Sequence, residues 1–242
     1  MKMDNATPEE AAEWAAIIPN VDEGVEPKLF EKQDLLSAFD GEVTITVRKA
    51  LNLTGCLLGE ITRLCDAQTA AHPGKLNRID PEALMMADGI FAFATRANLV
   101  VAVAYAERCL EAGQTALHVS HVVSDGSRRG IGLPMIAALF LGEANSTGKE
   151  AHGAAEVRIL PNGTVNSSCK TFARLGFWAD EYFTHPVTLR NPQKAIAGSA
   201  EPNGDPLKYL RLEGKADEVA DRSRLALENW SVEFGQAQAA DE

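Results

Sequence analysis

Residues 42–48 (Glu-Val-Thr-Ile-Thr-Val-Arg) alternate apolar and polar side chains with a period of two, the pattern of a strand with one buried face. The period then changes. Leu57, Leu58, Ile61, Leu64 and Cys65 recur at helical spacing, which predicts a helix from about Thr54 to Ala70, broken by His72-Pro73-Gly74. Asp80-Pro81-Glu82 reads as a cap with proline at the first helical position, starting a short helix that ends near Gly89. Segments 90–96, 99–109 and 115–123 are rich in Val, Ala and Phe, and the first two meet at a tight turn around Ala97-Asn98, so an antiparallel meander is expected. Leu133, Ile136, Ala137, Phe140, Leu141 and Ala144 share one helical face, with Gly148 as its stop. A strand at 156–160 must run parallel to 115–123 if that helix is a crossover. A short helix at 166–175, stopped by Gly176-Phe177, strands at 181–189 and 207–212, and a helix-like stretch at 215–235 complete the pattern.

Between the third meander strand and its helix lies Ser124-Asp-Gly-Ser-Arg-Arg-Gly-Ile-Gly-Leu133. A strand that stops in a Ser/Asp/Gly turn, followed by a basic Gly-x-Gly loop opening into a helix, presents unpaired backbone N–H groups at a helix N-terminus. Those donors, the helix dipole, Arg128 and Arg129 make a site for a phosphate or pyrophosphate. Gly130 and Gly132 permit the close backbone approach that a Cβ would block.

Composition narrows the classes. The 242 residues are 45% hydrophobic and 24% charged, ordinary for a globular chain able to bury a full core. No apolar run is long enough to span a bilayer, and the acidic N-terminus does not resemble a signal peptide, so a cytoplasmic protein without membrane attachment is expected. The four cysteines form no CxxC pair and have no matching histidine spacing, which points to reduced thiols and no metal site. The net charge of −11 sits at the ends: residues 1–40 carry ten acids against three bases, residues 213–242 eight against three, and residues 41–212 sixteen against seventeen. A near-neutral centre disfavours nucleic-acid binding.

The order of elements and the loop together resemble the GNAT acetyltransferase superfamily over roughly residues 41–213. Arg129-Gly-Ile-Gly132 matches the second half of that family's acyl-CoA loop, and Ser168-x-x-x-Phe172-x-x-x-Gly176-Phe177 resembles its helix ending in Gly-Phe. The resemblance implies an α+β fold: a twisted, mostly antiparallel sheet of about six or seven strands, a central parallel pair splayed at the CoA site, and helices on both faces. It implies acetyl-CoA as acyl donor, its pyrophosphate on the backbone N–H groups of Arg128, Arg129, Gly130, Ile131, Gly132 and Leu133. Its pantetheine arm would pair with Val122, Val123 and Ser124, and an N–H near Val123 would polarise the thioester carbonyl. Asn166 and Phe172 complete the expected donor site. The implied reaction is N-acyl transfer by direct attack of a primary amine, the acceptor being of unidentified class.

Three positions depart from the family pattern. Ser127 stands where Gln or Arg is usual, with Arg128 as a stand-in, Val165 precedes Asn166 where Asn is usual, and Phe172 replaces the tyrosine that protonates the departing thiolate. Phenylalanine cannot donate a proton, which leaves water as the acid. His121 is the candidate general base by way of water, and Glu156 the second catalytic candidate. His118 and His121, three residues apart on a strand, are expected on opposite faces. These departures also support an alternative, a GNAT-like protein that has lost catalysis and serves as a binding or structural subunit. The expected organisation is an acidic extension at 1–40, the acyltransferase domain at 41–213 and an acidic helical extension at 214–242. Trp14 and Trp230 would anchor the two ends in self-association or on a partner.

Overall fold

A computed structural model describes residues 34–72, 88–111, 114–158, 168–179 and 209–236. The strands are β1 (Leu36–Phe39), β2 (Thr44–Lys49), β3 (Gly89–Arg96), β4 (Leu99–Glu111), β5 (Gln114–Ser124), β6 (His152–Arg158), β7 (Trp178–Ala179), β8 (Tyr209–Gly214) and β9 (Glu233–Gln236). The helices are α1 (Gly55–Ala71), α2 (Gly132–Thr147), α3 (Ser168–Arg174) and α4 (Ala216–Trp230). Thr54 caps α1 through its hydroxyl, which accepts from the Leu57 N–H at 3.4 Å. Gly148 ends α2 in the left-handed region at φ 68°. Ala97 and Asn98, both at positive φ, form the expected tight turn between β3 and β4.

The strands make one sheet in the order β7-β8-β6-β5-β4-β3-β2-β1-β9. Every neighbouring pair is antiparallel except β5 and β6. Among the described residues from β2 to β8, the order of elements agrees with the layout that the resemblance implies. The sheet is wider than expected because β1 and β9 add to its edge. The periodicity of 215–235 reads as helix throughout, yet α4 ends at Trp230 and the chain turns into β9, which pairs with β1. β1 and α4 lie outside the range 41–213 expected for the domain, and both pack on its sheet. Leu36 and Ala38 on one side, and Val219 and Leu227 on the other, belong to the same core as the sheet. Trp230 packs against that core within the chain. The helix expected at 80–89, the strand at 181–189, Asn166 and Trp14 lie outside the described residues.

Helix α2 is buried around most of its circumference, from Pro134 to Glu143, between the sheet and α4. Gly142 marks its closest approach: a Cβ there would stand 2.5 Å from Val47 Cγ1. The neighbouring Glu143 has a side chain only 4% exposed, and Arg108 of β4 grips it with two bonds, Nε to Oε1 at 2.6 Å and Nη2 to Oε2 at 2.8 Å. Asp88 takes a third guanidinium bond at 2.5 Å, and these carboxylates hold Arg108 above its already high range against the opposing effect of burial. On the other face of the sheet, α1 seals Ile61, Leu64 and Cys65 over Phe91, Phe93, Val103 and Tyr105.

Removing one partner of a buried pair strands the other charge. Glu143→Ala is expected to lower stability by about 3 kcal/mol, read as a lower urea midpoint with an unchanged slope. An unaltered midpoint would show that Arg108 and Asp88 suffice without it.

Candidate functional site

Two features of β5 build the site. The first is a break in pairing. β5 and β6 pair in parallel from Ala116↔His152 to Val119↔Ala155, and no described partner of β5 follows, although β6 runs on to Arg158 against β8. The strands part at Val119, and among the described residues, 122–124 pair with β4 alone. This is the expected splay of the parallel pair.

The second is a β-bulge. Tyr105 opposes His121 and Ala106 opposes Val119, so Ser120 is an extra residue in β5. An extra residue reverses the alternation of faces. Leu117, Val119 and Val122 pack on the α2 side, whereas Val123 packs with Tyr105 on the α1 side. His118 opposes Glu107, two residues on from Tyr105, with Nδ1 3.7 Å from the Glu107 carboxylate. His118 and His121 therefore share the α1 face. The expectation of opposite faces fails because strict alternation does not survive a bulge. Ala154 lies beside His118 in the parallel register, and Glu156, two residues on, falls on that same face just past the splay. His121 and Glu156 are thus brought to one side of the sheet.

The His121 ring is half-buried. Nδ1 lies 3.2 Å from the Ser120 hydroxyl, and Nε2 is buried with no hydrogen-bond partner among the described residues. Burial holds the imidazole below the usual 6.5, and His118 pushes the same way against the opposing pull of Glu107. A ring neutral at pH 7 can accept a proton. The hydroxyl of Tyr105, the residue opposite His121 in the register, stands over Gly89 of β3; it is also buried and has no partner among the described residues, and burial with the Glu107 and Asp88 charges raises it to about 12.

The loop follows directly. Asp125 makes the turn, its carboxylate accepting from the Ser127 N–H at 2.8 Å and its own N–H donating to the Val101 carbonyl at 2.9 Å. Gly126 and Gly130 both sit at φ 79°. Helix α2 begins with no side-chain cap, and the backbone N–H groups of residues 128–132 have no acceptor among the described residues. Leu133 N–H, one of the expected ligands, is partly engaged by the Gly130 carbonyl at 3.4 Å. A Cβ on Gly130 would meet nothing within 4 Å, and one on Gly132 only Val122 Cγ1 at 3.9 Å. Neither glycine is required by protein packing, so the space beside the loop is open to a ligand. A ligand with an anionic end and an amide-containing arm would find N–H donors at the helix N-terminus and an edge of β5 that β6 does not pair.

Other expected residues fall elsewhere. The Phe172 ring is buried in the core, 5.1 Å from the Phe177 ring. Cys169 and Cys65 are buried, and burial pushes both thiols up to about 11, which removes them as nucleophiles at neutral pH. Arg129 is exposed, whereas Arg128 is bound by Asp40 at 2.7 Å, a contact between residues 88 apart that periodicity does not show. The signal for it is the Asp40-Gly41 pair between two short apolar runs, a hairpin turn that would have placed β1 against β2. Among the described residues no group of His, Cys, Asp and Glu is arranged to hold a metal, and no helix is long and apolar enough to cross a membrane. A separate cleft of about 390 Å³, floored by Leu36 and Leu141, lies at the far end of α2, away from the loop.

No protein-family model and no curated protein matches the sequence. Solved structures do resemble the chain in course. It is similar to Escherichia coli ElaA, with 10% identity, a TM-score of 0.49, and coverage of 72% of this chain and 99% of that one. It is similar to an acyl-CoA N-acyltransferase from Pseudomonas aeruginosa, with 14% identity, a TM-score of 0.48, and coverage of 71% and 99%. An aminoglycoside 6'-acetyltransferase type Ii resembles it at 16% identity and a TM-score of 0.49, over 71% and 96%.

The two glycines of the loop differ in what they need. At φ 79° a side chain is strained, so Gly130→Ala is expected to cost about 1 kcal/mol. Gly132→Ala, free of that strain and opening a helix, is expected to be neutral or stabilising. Thermal unfolding of the two variants side by side checks the difference, and equal losses would contradict the assigned backbone conformation.

Proposed function

We propose that this chain is an acyl-CoA-dependent N-acyltransferase, transferring most simply an acetyl group from acetyl-CoA to a primary amine by direct attack. The observation that carries the reading is the continuity of the splayed β5 edge with a loop of free N–H donors opening α2. A ligand with an anionic head and a peptide-like arm can satisfy both at once. The N–H groups of residues 128–132 take the pyrophosphate, Val122, Val123 and Ser124 lie along the pantetheine arm, and an N–H near Val123 polarises the thioester carbonyl, the Val122 and Ser124 N–H groups being the ones that face away from β4.

His121 accepts the amine proton through water, a role that suits a ring held neutral at pH 7. The amine nitrogen then attacks the carbonyl carbon, the tetrahedral adduct collapses, the C–S bond breaks and the thiolate leaves. With Phe172 in the core, water protonates that thiolate. The raised thiols of Cys169 and Cys65 support direct attack over a cysteine-bound intermediate. Glu156, exposed beyond the splay, is the group placed to meet a cationic acceptor.

Calorimetry with CoA tests the donor site. Asp tolerates the left-handed region better than most residues, so Gly130→Asp is expected to stay folded while losing CoA affinity by a factor of ten or more. Unchanged affinity in a folded variant would sink the loop assignment. Thiol release with a panel of primary amines tests the chemistry, and binding without release would favour a subunit that has lost catalysis. The acid limb of the pH–rate profile is expected below 6.5. A base held below its ordinary value stays competent until the pH falls through that lowered value, and His121→Ala should abolish the limb. A limb that persists in the variant would assign it to another group.

A further inference from the structure

Residues 127–129 lie between two glycines at positive φ, the least restrained kind of backbone. Among the described residues, the only side-chain hydrogen bonds that leave this loop for another element run from Arg128 to Asp40. Nε and Nη2 both donate to Asp40 Oδ2, at 3.1 and 2.7 Å. The other carboxylate oxygen accepts the N–H groups of Glu42 at 2.9 Å and Val43 at 2.7 Å. The carboxylate is thus committed on both sides, and its side chain is 1% exposed. The Arg128 side chain is 40% exposed, and its Nη1 has no partner among the described residues. The pair leaves a guanidinium fixed on one side and available on the other.

We propose that Asp40 is a positioning residue for the acyl donor. Through Arg128 it braces the phosphate loop, so that Nη1 and the N–H groups of residues 128–132 meet the donor's phosphates already aligned. This rests on the donor reading above and extends it to a strand hairpin, β1–β2, that the loop does not belong to. The brace stands in for the long side chain that Ser127 lacks. Two effects of a neutral residue at 40 oppose each other. Freeing Arg128 from its counter-charge strengthens its attraction for an anion, whereas releasing it restores the freedom of a long side chain and of the loop. The second effect dominates here, because the backbone donors outnumber the one guanidinium and lose their alignment together. In Asp40→Asn the amide oxygen keeps the Glu42 and Val43 N–H groups, which turns the amide NH₂ toward Arg128, donor against donor.

The test is a double-mutant cycle read by CoA affinity in the calorimeter, using Asp40→Asn, Arg128→Ala and the double variant of the full chain. Asp40→Asn is expected to weaken CoA about tenfold. In the Arg128→Ala background the same change should do nothing further, since its effect passes through Arg128. Unchanged or tighter binding in Asp40→Asn would overturn the proposal. An equal loss in both backgrounds would also overturn it, showing that Asp40 merely supports the hairpin. Urea unfolding of each variant accompanies the cycle, and a binding loss that follows only the fraction unfolded counts against the brace. If the unaltered chain does not bind CoA, the donor reading itself fails and this proposal falls with it. If it binds and only the cycle fails, the donor reading stands.

Discussion

Parallel strands cannot be joined by a hairpin, so β5 and β6 are held together by a crossover helix and a short run of slanted hydrogen bonds. That run stops at Val119 and Ala155, and the Ser120 bulge follows at once. The stop leaves the β5 edge unpaired by β6, and the bulge turns His121 toward the face that α1 covers. The loop inherits its position from the same strand, since Asp125 is still bonded to Val101 of β4. An uninterrupted β5–β6 ladder would leave neither an open edge nor two histidines on one face.

The opening must be held while the sheet around it stays rigid, and α2 supplies that rigidity. Its helix axis can come close to β2 only because residue 142 has no side chain, and Arg108 ties the next residue to β4. With α2 fixed against the sheet by Gly142 and Glu143, its N-terminal turn cannot drift away from the end of β5. The aromatic contacts of Phe177 with Phe172 and Phe140 close the same core beneath α3. Phe172 is therefore explained by packing.

Much of this was legible in local periodicity. The alternation of 42–48, the helical spacing around Ile61 and the Gly-x-Gly loop each depend on near neighbours, and each stands close to where the pattern puts it. What was not legible depends on distant partners. The bulge at Ser120 has no signature in Val119-Ser120-His121, because it is set by the register with Tyr105. The four residues of β1 are too few to show a period, and their place is decided by β2 and β9. The apolar positions of 215–235 continue past Trp230 as if one helix ran through them, while the pairing with β1 straightens the chain at Glu233. Arg128 was readable as a cation beside a phosphate loop but not as a residue with a carboxylate partner, since Asp40 lies 88 positions away.

The pairing of β9 with β1 joins residue 36 to residue 236. During synthesis the hairpin that carries Asp40 emerges early, while the strand that covers its outer edge emerges after every other described element. Until then β1 is an open edge, with unpaired backbone groups that invite strands of other chains. A contact of such long sequence separation also forms slowly. The nascent protein therefore has its Gly-x-Gly loop before it has the strand that borders the hairpin on which the partner of Arg128 stands. Its vulnerability to misassociation is concentrated at one margin of the sheet and lasts until translation has delivered the final strand.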